Sequence, residues 1–409
     1  MDSGSIAWML VASALVLFMT PGLAFFYGGL VRGKNAISTV MYSFVAIGVV
    51  SVVWVLWGYS LAFGEGGDFI GNFDFLGFKD VASEADEGIP PMLFAIFQMM
   101  FAIITPALIT GAIAERFKFT TYLVFLVAWV TFVYAPIAHW VWASDGWLFE
   151  LGALDFAGGT VVHINAGVAA VAAAWLVGKR RGVDRGVEPH NVPFVVLGAS
   201  ILWFGWFGFN AGSGLAADGL AVSAFLVTNT ATATALVVWL ILGHIHTGKM
   251  SAVGAATGAV AGLVAITPAA GFVGPMGSIA IGLGAGALTF YAVRIRHKFG
   301  FDDALEVAAV HGIGGIWGAI ATAIFAVQLA NADGVLENVS VVDGEFELLG
   351  FNAIAVLATI GYSFVVTFVI LKILDVIPGL GLRADDGEED AGLDITYHGE
   401  RAYVSDGAD

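Results

Sequence analysis

Cysteine is missing from all 409 residues. That absence excludes a disulfide framework, a thiolate metal centre and a redox dithiol. Charge is scarce as well. Only 12% of residues are Asp, Glu, Lys or Arg, where a soluble domain carries about a quarter. Bases are scarcer still, 16 against 33 acids, for a net charge of −17, which argues against nucleic acid as a partner. The acid sits in connections and tail, a distribution that suggests adaptation to high salt. The N-terminus lacks the basic flank and short apolar core of a cleaved signal peptide. Its apolar run continues to Leu30 and reads as a retained first span.

What is present is hydrophobic: 59% of the chain, in blocks near the length a bilayer span needs. Ten such blocks cover residues 6–30, 37–63, 91–114, 121–138, 158–177, 192–212, 220–243, 251–268, 275–293 and 304–325, and an eleventh covers 351–375. Alternate connections collect the bases: Arg32 and Lys34, Arg116 and Lys118, Lys179 through Arg185, Lys249, Arg294 through Lys298, and Lys372. The opposite connections hold only Lys79. The positive-inside rule then puts the N-terminus outside and the C-terminus in the cytoplasm, which requires an odd number of spans. Acid gathers on the outer side, at Glu65 through Glu87 and Asp333 through Glu347. It reads as solvated surface, or as a weak vestibule for cations.

The count divides the chain into two five-span halves of opposite topology, about 1–190 and 191–330. An inverted repeat of this kind has a pseudo-two-fold axis in the membrane plane. Local echoes agree: Ile104-Thr-Pro-Ala107 recurs as Ile266-Thr-Pro-Ala269. In the last span of each half an Asp precedes a His by eight residues, Asp155 before His163 and Asp303 before His311. The inversion carries both imidazoles to the bilayer midplane, facing each other. A lone His in a span is often a satisfied interhelical hydrogen-bonder. A matched pair points to a pathway, because imidazole exchanges a proton near neutral pH and stays neutral in a dry site. Two His with no Cys or converging third carboxylate make a poor zinc site, and no cofactor or metal is expected. The whole is an all-α membrane protein, with a transport unit over 1–377 and a cytoplasmic tail over 378–409.

Several long motifs resemble those of the ammonium transporter family (Amt/Mep/Rh), of the archaeal and bacterial Amt type. They are DFAGGTVVHINAG from Asp155, WFGWFGFNAGS ending at Ser213, FAIITPALITGAIAER from Phe101, HGIGGIWGA from His311, and the tail from Gly392 to Tyr403. The resemblance implies a homotrimer of eleven-helix subunits in the plasma membrane, each with its own pore. By motif, His163 and His311 resemble the family's twin-His pair, and Phe101, Trp142 and Ser213 its external recruitment site. Phe101 and Phe209 resemble its phenyl gate, with Trp206 lining the same region, and Asp155 the acid that holds the recruitment region together. The tail resembles the segment that couples subunits and accompanies inhibition by a trimeric PII-type (GlnK-like) signal protein.

The residue chemistry fits that assignment. Ammonium is a small cation with four N–H donors, so an aromatic box plus one hydroxyl can hold it. Plainer readings stand beside it: Trp142 as an interfacial belt residue, Phe101 and Phe209 as core, Asp155 as a helix N-cap. Three other functions are weighed. A gas channel for ammonia or carbon dioxide, as in the Rh branch, would give flux without current. A sensor would add a signalling domain, for which about thirty tail residues are too few. An intramembrane enzyme would need a nucleophile or metal set around the His pair, and none is convincing.

The tail divides in two. Arg383 through Asp390 reads as a disordered acidic stretch. The following part has apolar anchors in Leu393, Ile395, Tyr397 and Tyr403, with turns at Gly392 and Gly399. It is expected to dock on the cytoplasmic loops through Arg180, Arg181 and Arg185.

Overall fold

The computed structural model describes residues 2–183, 186–327, 330–331, 334–335 and 340–404. Arg185 and parts of the acidic 333–347 connection lie outside the described residues. Among the described residues, ten helices are long and apolar enough to cross a membrane. They are α1 (Ser3–Leu30), α2 (Gly33–Phe63), α3 (Pro91–Ile113), α4 (Phe119–Leu151), α5 (Gly159–Val177), α6 (Val192–Gly212), α7 (Gly219–Thr247), α9 (Pro275–Ile295), α10 (Ala308–Phe325) and α11 (Glu347–Val376).

The eighth expected span, α8 (Ala252–Ile266), has only 15 residues, short of the ~20 a span needs. It stops where Pro268 has no amide to continue the ladder. Helix α10 also begins later than the sequence pattern suggests. Ala304 and Leu305 form a turn and helix starts only at Val307, because Glu306 takes a left-handed φ of 68°. Outside the helices, Ala330–Asn331 pairs antiparallel with Gly334–Val335.

Two kinds of close approach hold the bundle. Helix α1 packs along α6, and α7 against α8 and α9. A methyl at Gly198 would run into the Phe26 backbone, and one at Gly167 into the backbone of Gly312. The Gly167–Gly312 contact crosses α5 and α10 just past His163 and His311, so small residues set how near the two imidazoles come.

Both histidines lie in wide, π-helical first turns, Gly159–Ile164 in α5 and Ala308–Ile313 in α10. Such turns recur at functional sites. They are not unique to this one, since α2 and α4 contain Trp54–Gly58 and Val130–Tyr134.

The tail folds back on the basic connections. Its acidic first part forms a short helix, α12 (Asp386–Ala391), instead of disordered chain. The reason is a reciprocal cap: Asp385 and Glu388 satisfy each other's backbone amides. Arg181 then pairs with Asp386 at 2.8 Å and Asp390 at 2.9 Å. Arg180 does not serve the tail. It grips Asp302 with two parallel bonds, 2.8 and 2.9 Å. Leu393 is buried, whereas Ile395 and Tyr403 are exposed. The polar anchor is Asp394, whose carboxylate accepts from the amides of Ile37 at 3.0 Å and Ser38 at 2.7 Å.

Candidate functional site

The sequence-selected aromatic and imidazole rings form one column. At one end Trp142 meets Phe101 edge-on, centroids 5.8 Å apart. Phe101 lies against Phe209 at 4.2 Å. Phe209 stacks near His163 at 6.0 Å, and His163 on His311 at 5.3 Å. Trp206 flanks the middle, 5.4 Å from the His163 ring and 5.2 Å from Phe209. All but Trp142 are buried.

Phe101 and Phe209 are both buried against each other, so side chains close the column at that level. At the Trp142 end, Ser213 donates its hydroxyl to the Phe209 carbonyl at 2.9 Å. Trp142 is partly exposed and its indole N–H donates to the Asp155 carbonyl at 3.0 Å.

Asp155 explains how α5 starts where it does. Its carboxylate accepts the amides of Gly158 at 2.8 Å, Gly159 at 2.6 Å and Thr160 at 2.7 Å, and the Thr160 hydroxyl. Four N–H groups of a helix start lack partners, and one carboxylate satisfies most of them here. Gly158, at φ 117°, supplies the backbone turn that a side chain would resist. Asp303 is not its mirror image: one oxygen accepts the Ala308 amide at 2.7 Å and the other has no partner.

Between the imidazoles the contact is direct, Nδ1 to Nδ1, at 3.2 Å. The Nε2 atom of His163 is buried without a hydrogen-bond partner, so its N–H or its lone pair, according to the tautomer, is left unsatisfied. Beyond His311 the column opens into a cavity of about 350 Å³ lined also by Tyr27, Arg180, Arg296 and Glu306.

Sequence reading missed Thr267, whose hydroxyl accepts the Trp206 indole N–H at 2.9 Å and thereby fixes that ring. The repeated Ile-Thr-Pro-Ala element was the available signal, but the partner lies 61 positions away. Among the described residues no three metal-ligating side chains converge.

Comparison with known proteins decides the class. The profile described as "Ammonium Transporter Family" matches residues 7–403. The chain belongs to the ammonium transporter family. It is 49% identical to the ammonium transporter of Bacillus subtilis (strain 168), covering 98% of this chain and 99% of that one. It is 45% identical to ammonium transporter Amt1 of Archaeoglobus fulgidus, covering 99% and 100%.

Among solved structures, Saccharomyces cerevisiae Mep2 superposes with a TM-score of 0.88 at 37% identity, over 95% of this chain and 88% of that one. A sensor Amt protein superposes with 0.87 at 34% identity, over 97% and 98%. Ammonium or ammonia is therefore the substrate of this multi-pass plasma-membrane protein, and the family and these relatives are transporters rather than enzymes.

Proposed function

We propose that this transporter recruits ammonium at an outer aromatic site, removes its proton, and conducts ammonia along the twin-His pair. In this reading Phe101, Trp142 and Ser213 receive the cation, Phe101, Phe209 and Trp206 gate it, and His163 and His311 line the narrow part. The observation that carries the reading is the continuous ring column ending in two imidazoles in Nδ1–Nδ1 contact.

Physical chemistry supplies the selectivity. Potassium has similar size and charge but no proton to shed, and a dry apolar passage penalises a bare ion by several kcal/mol. Ammonium escapes much of that penalty when its proton is handled separately. An uncharged N–H···N pair suits ammonia because each ring nitrogen is a donor or an acceptor at no charge cost.

The architecture that goes with this is an eleven-helix unit over 1–377. It has inverted repeats at about 1–190 and 191–330 and the appended helix 351–375, with the N-terminus outside and the C-terminus inside. The wide first turn that α5 and α10 have in common supports the repeat. Three such subunits form the homotrimer. The tail, 378–409, is a regulatory element on the cytoplasmic face that answers to a PII-type (GlnK-like) signal protein, and the acidic surface suits a high-salt cell.

The test is current in proteoliposomes after an ammonium jump against an equal potassium jump. Current with ammonium alone is the expected result. Ammonia flux without current would transfer the protein to the gas-channel class, and equal currents would overturn the proton-handling mechanism.

A further inference from the structure

The cavity beyond His311 contains a carboxyl group to which the ring column assigns no role. Glu306 lines it together with His311, Tyr27, Arg180 and Arg296. One Glu306 oxygen pairs with Arg296 Nη1 at 2.6 Å, and the other, Oε2, is buried with no hydrogen-bond partner. The backbone there is left-handed at φ 68°, a conformation that glycine adopts freely and glutamate does not.

The other basic side chain of the cavity is committed elsewhere, since Arg180 is doubly bonded to Asp302. Arg296 is shared, donating to the Asp303 carbonyl at 2.6 Å as well as to Glu306. Burial pushes the Glu306 carboxyl well above the ordinary glutamate range against the pull of Arg296, while Asp303 and Asp302 push it up and Arg180 pulls it down. The unpartnered Glu306 oxygen on the cavity is placed to exchange a proton with what enters there. The cavity, about 350 Å³, is large enough to admit water between His311 and Glu306.

We propose that Glu306 is the proton carrier between the inner histidine and the cytoplasm. The inference rests on the proton-handling mechanism of the proposed function. Nδ1 of His311 faces His163, so Nε2 is the ring's other proton site. In the first step His163 Nε2 takes the proton of ammonium, the hydrogen shared between the two Nδ1 atoms passes to His311, and the His311 Nε2–H bond breaks as an O–H bond forms on the Glu306 carboxylate, directly or through water, which leaves both rings neutral. In the second the O–H bond breaks as the proton passes to ammonia arriving in the cavity. Ammonium leaves and the carboxylate is restored, balanced by Arg296. No electron changes hands.

The experiment uses full-length trimers reconstituted in proteoliposomes, with ammonium-evoked current recorded as the pH on the Glu306 side is varied. Glu306→Gln is expected to lower the current at least tenfold and to flatten its dependence on that pH. Glu306→Asp, which keeps the acid, is expected to restore the current. Arg296→Met removes the cation that favours the charged carboxylate, so the midpoint of the pH dependence should move upward.

Wild-type current and pH dependence in Glu306→Gln would overturn the inference. If that variant does not assemble, an unmoved midpoint in Arg296→Met overturns it instead. His163→Ala and His311→Ala are measured alongside. Should they keep wild-type selectivity, the proposed function itself fails. Should they lose it while Glu306→Gln behaves as wild type, only the role of Glu306 is lost.

Discussion

His163 and His311 approach Nδ1 to Nδ1 at 3.2 Å, across 148 positions of chain. A contact between like nitrogens fixes the tautomers jointly. One Nδ1 carries hydrogen and donates while the other accepts, since two N–H groups or two lone pairs facing each other would repel. The two rings thus act as one unit that shares a proton along its axis. Trp206 and Phe209 stack on the His163 side, and the cavity begins on the His311 side.

The first prediction concerns that unit. His163→Ala or His311→Ala leaves the surviving Nδ1 without its partner in an apolar setting, a cost of about 1–3 kcal/mol. The preference for ammonium over potassium current is expected to fall by roughly tenfold or more, which ~1.4 kcal/mol suffices to produce. Both variants should still elute as wild type by size exclusion. Wild-type selectivity in both variants would make the pair purely structural.

Trp142 offers a second test. It is partly exposed, packs edge-on to Phe101 and has its N–H occupied by the Asp155 carbonyl. Its remaining asset is the ring face. Cation–π attraction contributes about 0.5–1 kcal/mol when exposed and ~2 when desolvated, so Trp142→Leu should raise the half-saturating ammonium concentration. An unchanged concentration dependence would return Trp142 to the ordinary interfacial aromatics.

Stability around the cavity beyond His311 depends on Asp302, the partner of Arg180. Burial opposes its ionisation, but the hydrogen bonds and charge of Arg180 outweigh that and hold the carboxyl at about 2. Because this folded-state value lies below the unfolded one of ~3.9, the contribution is present above about pH 4 and disappears as pH falls toward 2. Asp302→Asn leaves the buried Arg180 guanidinium with only Glu115, at 4.0 Å, as an acid partner and should cost up to about 3 kcal/mol. Thermal unfolding of the detergent-solubilised protein measures it. A transition temperature equal to wild type at pH 7 would refute the assignment.

The tail prediction comes from Asp394 and Lys34. Besides the Asp394 cap on α2, the Lys34 ammonium donates to the Glu389 and Asp390 carbonyls at 2.7 and 2.8 Å. Losing a cap costs about 0.5–2 kcal/mol, so Asp394→Ala should make 378–409 more susceptible to protease. If the tail is regulatory as proposed, deleting 392–409 should leave a folded protein with reduced transport and an altered response to a PII-type protein. Full transport with unchanged PII binding in the truncated protein would make the tail passive.

Much of this molecule is written in one dimension. Bilayer-length apolar blocks need only composition to be recognised, because lipid forces each spanning segment to satisfy its own backbone. Asp155 with Gly158 and Gly159 reads as a helix start for a local reason: the carboxylate and the amides that it binds are three to five positions apart. His163 and His311 stand out because ionisable groups are so rare in such blocks.

Other features were decided only in three dimensions. Nothing near Trp206 in sequence announces Thr267, and nothing near Arg180 announces that it holds Asp302 rather than the tail. The 3.2 Å between the imidazoles depends on Gly167 meeting Gly312. A periodicity records which side of a helix is apolar, but not which residue of another helix packs there. Helix crossings set those distances, and they are set by packing over the whole bundle.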